Sequence, residues 1–177
     1  MTTQLLVEGA IGGAQLALVA FLLSRFVRDI AGRVLLALVL IVAAVIYVYF
    51  AAREGAGAYW LASELVGIVI YGGIGLRGVR GSAWWLAAGW ALHPVWDILL
   101  HYIGPGHSFA PETYTIPCIT FDLGVAAYIA VAYGIFRLDQ RRPLRRRTAT
   151  RHETAGQRDR SRTPSRSARL THHPCEL

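Results

Sequence analysis

Six ionisable side chains interrupt the long apolar stretches of this sequence, and they are its best candidates for chemistry. They are carboxylates and imidazoles, the groups that bind divalent cations and transfer protons in proteins. The six are Glu8, Glu64, His93, Asp97, His101 and Asp122. Each costs about 2.5 to 3.5 kcal/mol at the centre of a lipid bilayer, and somewhat less nearer its surface. Their presence in apolar surroundings therefore predicts a shared polar site.

The apolar stretches that carry these residues are long enough to be membrane-spanning helices. Of the 177 residues, 54% are apolar and 16% are charged, whereas soluble domains average about 25% charged residues. A helix needs about 20 apolar residues to cross a hydrocarbon core of about 30 Å. Five stretches qualify: residues 4–27, 34–52, 58–76, 82–103 and 115–136. They exclude a soluble domain and predict an all-α integral membrane bundle of five transmembrane helices over residues 1–137.

The arginines predict the orientation of this bundle. The sequence has no lysine, and the loops after the first and third stretches hold three and two arginines, whereas residues 104–114 hold none. Arginine-rich loops stay in the cytoplasm. We therefore expect a multi-pass protein of the cell membrane with its N-terminus outside and its C-terminus in the cytoplasm. Arg53 is then the one arginine that faces out.

Residues 138–177 form a second segment of different composition. This tail is rich in Arg, Ser, Thr and Pro and has little to bury, so we expect it to be disordered. The arginines between Arg137 and Arg147 would contact anionic lipid headgroups, at about 1 kcal/mol per charge, rather than nucleic acid. The two cysteines, Cys118 and Cys175, would lie on opposite sides of the membrane and could not form a disulfide.

The predicted orientation gathers the intramembrane acids in the outer half of the bilayer. At 1.5 Å per residue, Glu64, Asp97 and Asp122 lie about 9 to 10 Å below the outer ends of their spans. Glu8 and His101 lie closer to the outer surface, at about 3 to 5 Å. Four acids from four different helices therefore share one region.

The fourth stretch carries the densest polar pattern. His93, Asp97 and His101 are spaced at i, i+4 and i+8, which keeps them on one stripe that drifts about 40° per step. Pro94 removes a backbone donor beside His93, so we expect a kink there. His93 falls near the membrane midplane, at a depth of about 15 Å.

This set of residues predicts a site for positive charge. One such residue alone would be explained by packing hydrogen bonds, but four carboxylates around one cavity repel unless cations or protons neutralise them. We expect one or two divalent metal ions, Zn, Fe or Mg; di-iron bundles use the same inventory, although with Glu-x-x-His at i, i+3. A mononuclear site would use one of two sets: Glu64, His93, Asp97 and Asp122, or Glu8, Asp97 and His101. Without a metal, a protonated carboxyl group would act as acid and an ionised one as base.

The segment from His93 to His101, followed by the pairs Pro117-Cys118 and Phe121-Asp122, resembles the hallmark region of a family of small bacterial integral-membrane proteins of unknown function. The resemblance covers residues 4–136. It implies a membrane location and a shared polar site, and it implies no particular reaction. The chemistry, though not the sequence, is also similar to that of small membrane terpene cyclases, which protonate an isoprenoid with buried acids and have more helices.

Two classes of function fit these features. An intramembrane enzyme would take a lipid or isoprenoid-like substrate from the outer leaflet and cyclise, isomerise or hydrolyse it by metal-assisted or acid-base chemistry. Asp97 and Asp122 would be its catalytic residues, and Glu64 would balance charge or supply a proton. A small cation- or proton-coupled transporter would bind its cargo at the same acids. We expect the enzyme, because the sequence has no inverted repeat and its cytoplasmic half lacks ionisable residues.

Overall fold

The structure, a computed structural model, describes residues Met1–Gly134. This part of the chain is all-α and contains no strand. Its five α-helices are α1 (Thr2–Phe26), α2 (Asp29–Arg53), α3 (Ala58–Arg80), α4 (Trp84–Trp96) and α5 (Glu112–Gly134). A π-helical segment, Asp97–Tyr102, continues α4, and a 3-10 turn, Pro105–Ser108, precedes α5. The predicted all-α bundle is confirmed for these residues, whereas the predictions for the tail and for the boundary at residue 137 lie outside them.

Four of the five helices are long and apolar enough to cross a membrane. These are α1, α2, α3 and α5, with 23 to 25 residues each. The predicted fourth span, residues 82–103, is not one regular α-helix: α4 ends after 13 residues, and the winding changes to π from Asp97 onwards. Pro94 lies inside α4 and cannot donate to the carbonyl group of Trp90. We attribute the change of winding to this break in the hydrogen-bond ladder.

Much of the outer surface of the bundle is apolar, whereas six polar or charged side chains are buried inside it. Val69 is 75% exposed, and many other large aliphatic side chains are about half exposed. The buried polar and charged residues are Glu64, His93, Asp97, His101, Thr115 and Asp122. This distribution is the reverse of that in a soluble protein and is compatible with a lipid environment, where ionisable residues face the interior of a helix bundle.

A large apolar cluster fills the half of the bundle that lies nearer the α1–α2 and α3–α4 turns. Its fully buried members come from four helices and include Ala20, Leu36, Leu40, Leu86, Trp90 and Ile129. At the end of this half, Arg33 donates to the carbonyl oxygen of Gly81 at 2.9 Å and so ties the two turns together. The polar residues therefore lie towards the opposite end.

A glycine pair sets the distance between α1 and α5. The Gly9-x-x-x-Gly13 spacing predicts close helix approach, and the structure confirms it. A Cβ atom on Gly13 would lie 2.7 Å from the carbonyl oxygen of Phe121, and one on Gly9 would overlap that of Pro117. Thr120 adds a hydrogen bond of 2.6 Å from its hydroxyl group to a main-chain carbonyl of α1. The α1 glycines thus fix α5, which carries Asp122.

Substitution of Gly13 by alanine is expected to destabilise the bundle by about 1 to 3 kcal/mol, because the added methyl group forces two backbones apart. Thermal unfolding of the detergent-purified protein measures this. Gly73→Ala is the matched control, since a Cβ atom there meets nothing within 4 Å and alanine is the better helix former by about 1 kcal/mol. Equal melting temperatures for the two variants would contradict the close α1–α5 contact.

Candidate functional site

Three potential metal ligands meet where α4 passes into the π-helical segment and faces α5. His93 Nδ1 lies 2.9 Å from Asp122 Oδ2 and 3.4 Å from Asp97 Oδ2. One ligand atom from each residue lies within 4.8 Å of the others. All three side chains are at most 1% exposed. We call these residues the His93 cluster.

Local structure explains why these three side chains converge. His93 and Asp97 are one turn apart, so both point to the same side of the fourth helix. Asp122 follows Phe121, the residue that packs on the α1 glycines. Tyr71 of α3 holds the imidazole from a further side, since its ring packs edge-on against that of His93 with centroids 4.9 Å apart. Four helices therefore determine the geometry of the cluster.

The His93 cluster has more acceptors than donors. The 2.9 Å contact between His93 Nδ1 and Asp122 accounts for one hydrogen atom. Within the described residues, both carboxylate oxygens of Asp97 and the Nε2 atom of His93 are buried without a hydrogen-bond partner. Buried carboxylates without donors are costly, because they lose their hydration and gain nothing in return. The arrangement calls for a cation or for additional protons.

Two distances within the cluster have the lengths expected between ligands of one metal ion. Ligands about 2.0 to 2.2 Å from one ion lie about 2.9 Å apart at a right angle and about 3.4 Å apart at a tetrahedral angle. The contacts from His93 Nδ1, 2.9 and 3.4 Å, match these two separations. Three protein ligands would leave coordination positions for water or substrate, which is the pattern of catalytic rather than structural sites.

A second polar pair lies nearer the end of the bundle. His101 Nε2 is 3.0 Å from Glu64 Oε1, and this contact joins the π-helical segment to α3. The ring of Tyr47, from α2, stacks on His101 with centroids 3.9 Å apart and planes 9° apart. The same tyrosine ring lies 6.3 Å from that of His93. Tyr47 therefore stands between the two polar groups.

The structure thus divides the six predicted site residues. It brings together His93, Asp97 and Asp122, and it pairs Glu64 with His101. Glu8 is exposed and accepts a hydrogen bond of 3.0 Å from Gln4. The structure assembles neither of the two ligand sets expected from the sequence. The four-residue set fails because Glu64 lies outside the metal-binding group. The three-residue set fails because Glu8 is exposed on α1, away from Asp97 and His101.

Sequence reasoning missed Tyr47, because it considered only carboxylates and imidazoles. A signal was present in α2. The buried residues Leu36, Leu40, Ala44, Tyr47 and Ala51 recur at intervals of three and four, the spacing of one helix face. An aromatic hydroxyl group on an otherwise aliphatic buried face indicates contact with a polar site.

A cleft between α2 and α5 reaches the His93 cluster from the side. Its volume is about 240 Å³. The lining is mainly apolar and comprises Val39, Val42, Ala43, Ile46, Thr113, Tyr114, Pro117, Cys118, Phe121 and Asp122. Val42 is 54% exposed, so the cleft borders the outer surface of the bundle. Asp122 is thus connected to the region that would contain lipid.

The end of the bundle above His101 is covered by apolar residues. Phe109 and Ala110, from the connection before α5, are buried against Tyr47 and Ala51, and Trp60 packs on this group. The ring of Phe109 also meets His101 edge-on at 5.7 Å. Access along the helix axis is therefore closed by side chains, whereas the lateral cleft is open.

The comparison with protein-family models matches most of the chain to one family. The model of DUF6010, a family of unknown function, matches residues 8–134. The match spans both polar groups and the cleft. No curated protein and no solved structure matches the chain. Because the family model covers most of the sequence, the chain belongs to the DUF6010 family.

Proposed function

We propose that this chain is an intramembrane enzyme that acts on a lipophilic substrate with the help of one divalent metal ion. The ion would be bound by His93, Asp97 and Asp122. The observation that carries the proposal is the burial of two carboxylates against one imidazole, with both oxygens of Asp97 lacking partners in the described residues. A cation at this point would satisfy those oxygens and remove the repulsion between the acids.

The membrane placement proposed here uses five spans. The 13-residue α4 and the six-residue π-helical segment together make the additional span beside α1, α2, α3 and α5. Non-α winding is tolerated at membrane depth where it is buried in protein, and Asp97 and His101 are both buried. The arginine distribution supports a cell-membrane protein with its N-terminus outside and its C-terminus in the cytoplasm.

The ligand set favours a transition metal. One imidazole nitrogen with two carboxylate groups suits Zn²⁺ or Fe²⁺, whereas Mg²⁺ prefers an all-oxygen environment. A bound ion of this kind would supply a Lewis acid and activate a water molecule or polarise a substrate oxygen. Asp122 lines the cleft, so its oxygen that does not bind the ion would accept a proton from the substrate. Asp97 would hold and orient the ion behind it.

The cleft indicates the class of substrate. Its aliphatic walls would hold a hydrocarbon chain, while Tyr114, Cys118 and Asp122 supply polar groups for the reacting end. A lipid or isoprenoid-like molecule could enter from the bilayer between α2 and α5 without crossing water. Cyclisation, isomerisation and hydrolysis are the reactions that acid-base or metal-assisted chemistry would perform on it.

Packing in the other half of the bundle favours an enzyme over a transporter. A transporter needs a path from the site to both sides of the membrane. Below the His93 cluster, Leu40, Leu86 and Trp90 are buried in the large apolar cluster. Trp90 itself is fully buried one turn before His93. This packing supports a site that is reached from one side only.

Stabilisation by zinc tests the metal assignment. After treatment with a chelator, addition of Zn²⁺ at about 100 times its dissociation constant should stabilise the full-length protein by about 2.7 kcal/mol. The stabilisation is measured as a rise in melting temperature. His93→Ala should abolish this rise, because it removes the nitrogen ligand. His107→Ala should retain it, since His107 is exposed and its side chain forms a hydrogen bond with the nearby Gly104 carbonyl group rather than with the cluster. The same rise in both variants would refute the assignment.

A further inference from the structure

A stripe of polar and apolar residues runs along the outer face of α1. It consists of six residues that the bundle leaves exposed: Gln4, Glu8, Ile11, Gln15, Leu18 and Leu22. The intervals between them alternate between four and three residues, which is the heptad spacing of packed helix pairs. Leu18, for example, is 56% exposed. We call this set the α1 stripe.

The stripe lies opposite the face that α1 uses within the bundle. The buried residues of α1 are Gly9, Gly13 and Ala20. At 100° per residue, their mean direction is roughly 160° from that of the α1 stripe. Contacts inside one copy of the chain therefore leave the stripe uncovered.

Exposure of Gln15 to lipid would cost free energy in a membrane. It lies in the middle of the 25-residue α1, so its exposed amide group would face hydrocarbon. An unpaired amide costs several kcal/mol in an apolar medium. The exposed positions in the middle of α2, α3 and α5 are apolar, as Leu38, Val69 and Leu123 illustrate. Among the described spans, only α1 presents a hydrogen-bonding side chain to lipid at this depth.

We propose that two copies of this chain pack against each other through the α1 stripe. Every copy inserts with the same orientation, so two stripes can meet only as parallel helices around a two-fold axis along the membrane normal. The two Gln15 amide groups then face each other, and an amide both donates and accepts hydrogen bonds. The two Glu8 side chains, one heptad before Gln15, also face each other, but they lie near the helix end, where water screens their charges and Gln4 of either copy can donate to them. The stripe is thus self-complementary.

Leu18, Leu22 and Ile11 supply the remaining contact surface. Packing of such side chains, together with interhelical hydrogen bonds, drives association of membrane helices. This inference rests on the membrane-spanning placement of α1 and is independent of the metal centre. A monomeric protein could still bind zinc, and a dimeric one could lack it.

Disulfide crosslinking in lipid bilayers tests the interface. In the full-length chain with Cys118→Ser and Cys175→Ser, the added substitutions Gln15→Cys and Leu18→Cys should each give covalent dimers on oxidation. Val69→Cys should not, although its position on α3 is more exposed. Equal crosslinking at Val69, or none at positions 15 and 18, would overturn the proposal.

The contribution of the amide is measured separately, by the dimer dissociation constant in detergent. Gln15→Leu should raise this constant by roughly 3- to 20-fold for each interhelical hydrogen bond lost. Ile11→Leu, on the same stripe, should leave it nearly unchanged because the side-chain volume is conserved. A wild-type protein that is monomeric at all concentrations, or a Gln15→Leu variant that dimerises more tightly, would refute the interface.

Discussion

Replacing Asp97 or Asp122 by asparagine is expected to lower the amount of metal bound to the purified full-length protein by at least about tenfold. Even indirect partners of metal ligands change affinity by about 10- to 100-fold when they are removed, and these two carboxylates lie at the centre of the cluster. Each substitution keeps the side-chain shape but removes a negative charge. Metal analysis after dialysis against free Zn²⁺ buffered well below the wild-type dissociation constant gives the ratio directly, since occupancy is then proportional to affinity.

Glu8→Gln is the matched control for these variants. It makes the same change of carboxylate to amide in the same helix bundle, at a residue that is exposed and paired only with Gln4 in the described structure. It should bind as much metal as the wild type. The Asp97→Asn and Asp122→Asn proteins should also be at least as stable as the metal-free wild type, because they lack one of two buried charges that repel each other. Metal loss in all three variants, or in none, would contradict the His93 cluster.

Filling the cleft should close the lateral route to Asp122. Ala43→Phe adds a ring to the wall formed by α2, next to Val39, Val42 and Ile46 in the same lining. We expect it to slow the reaction of Cys118 with N-ethylmaleimide by at least about tenfold. The reagent would then reach the thiol only while the filled cleft is transiently open, so the rate falls in proportion to the fraction of molecules in the open state. Cys175→Ser removes the second thiol group, so labelling reports Cys118 alone.

Ala88→Phe is the control for this substitution. Ala88 is an exposed residue of α4 and does not line the cleft, so Cys118 should react at its normal rate in that variant. Zinc binding should be unchanged in both proteins, because neither alanine contributes a ligand. If Ala43→Phe leaves the labelling rate unchanged, the thiol is reached by another route and the proposed substrate path is wrong.

The sequence predicts the parts of the site that depend on one helix. The four-residue interval between His93 and Asp97 places both on the same side of a helix whatever surrounds it, and the structure brings them together. The four-residue interval from Asp97 to His101 does not predict a shared face in the same way. These two residues lie in the π-helical segment, and no residue spacing indicates π winding. Pro94 indicates only that the regular hydrogen-bond ladder is broken nearby.

The depth predicted for a residue in the membrane does not by itself show which residues meet. Glu8 and His101 have similar predicted depths, but depth does not determine the direction in which a side chain points. The direction of Glu8 can be worked out from the glycine pair. Gly9 and Gly13 mark the face of α1 that packs on α5, and Glu8 is turned roughly 100° to 140° from this face. The partner of Glu64 depends on the register between α3 and the π-helical segment, which no single helix encodes.

X-ray absorption at the zinc edge of the full-length wild-type protein, loaded with one equivalent of Zn²⁺, is the most direct test of a metal centre in the His93 cluster. We expect nitrogen and oxygen ligands at about 2.0 to 2.2 Å, with the outer-shell scattering of one imidazole ring and no sulfur. The imidazole signal should disappear in His93→Ala and persist in His107→Ala. A sulfur ligand at about 2.3 Å, or an imidazole signal that survives His93→Ala, would contradict a metal centre formed by His93, Asp97 and Asp122.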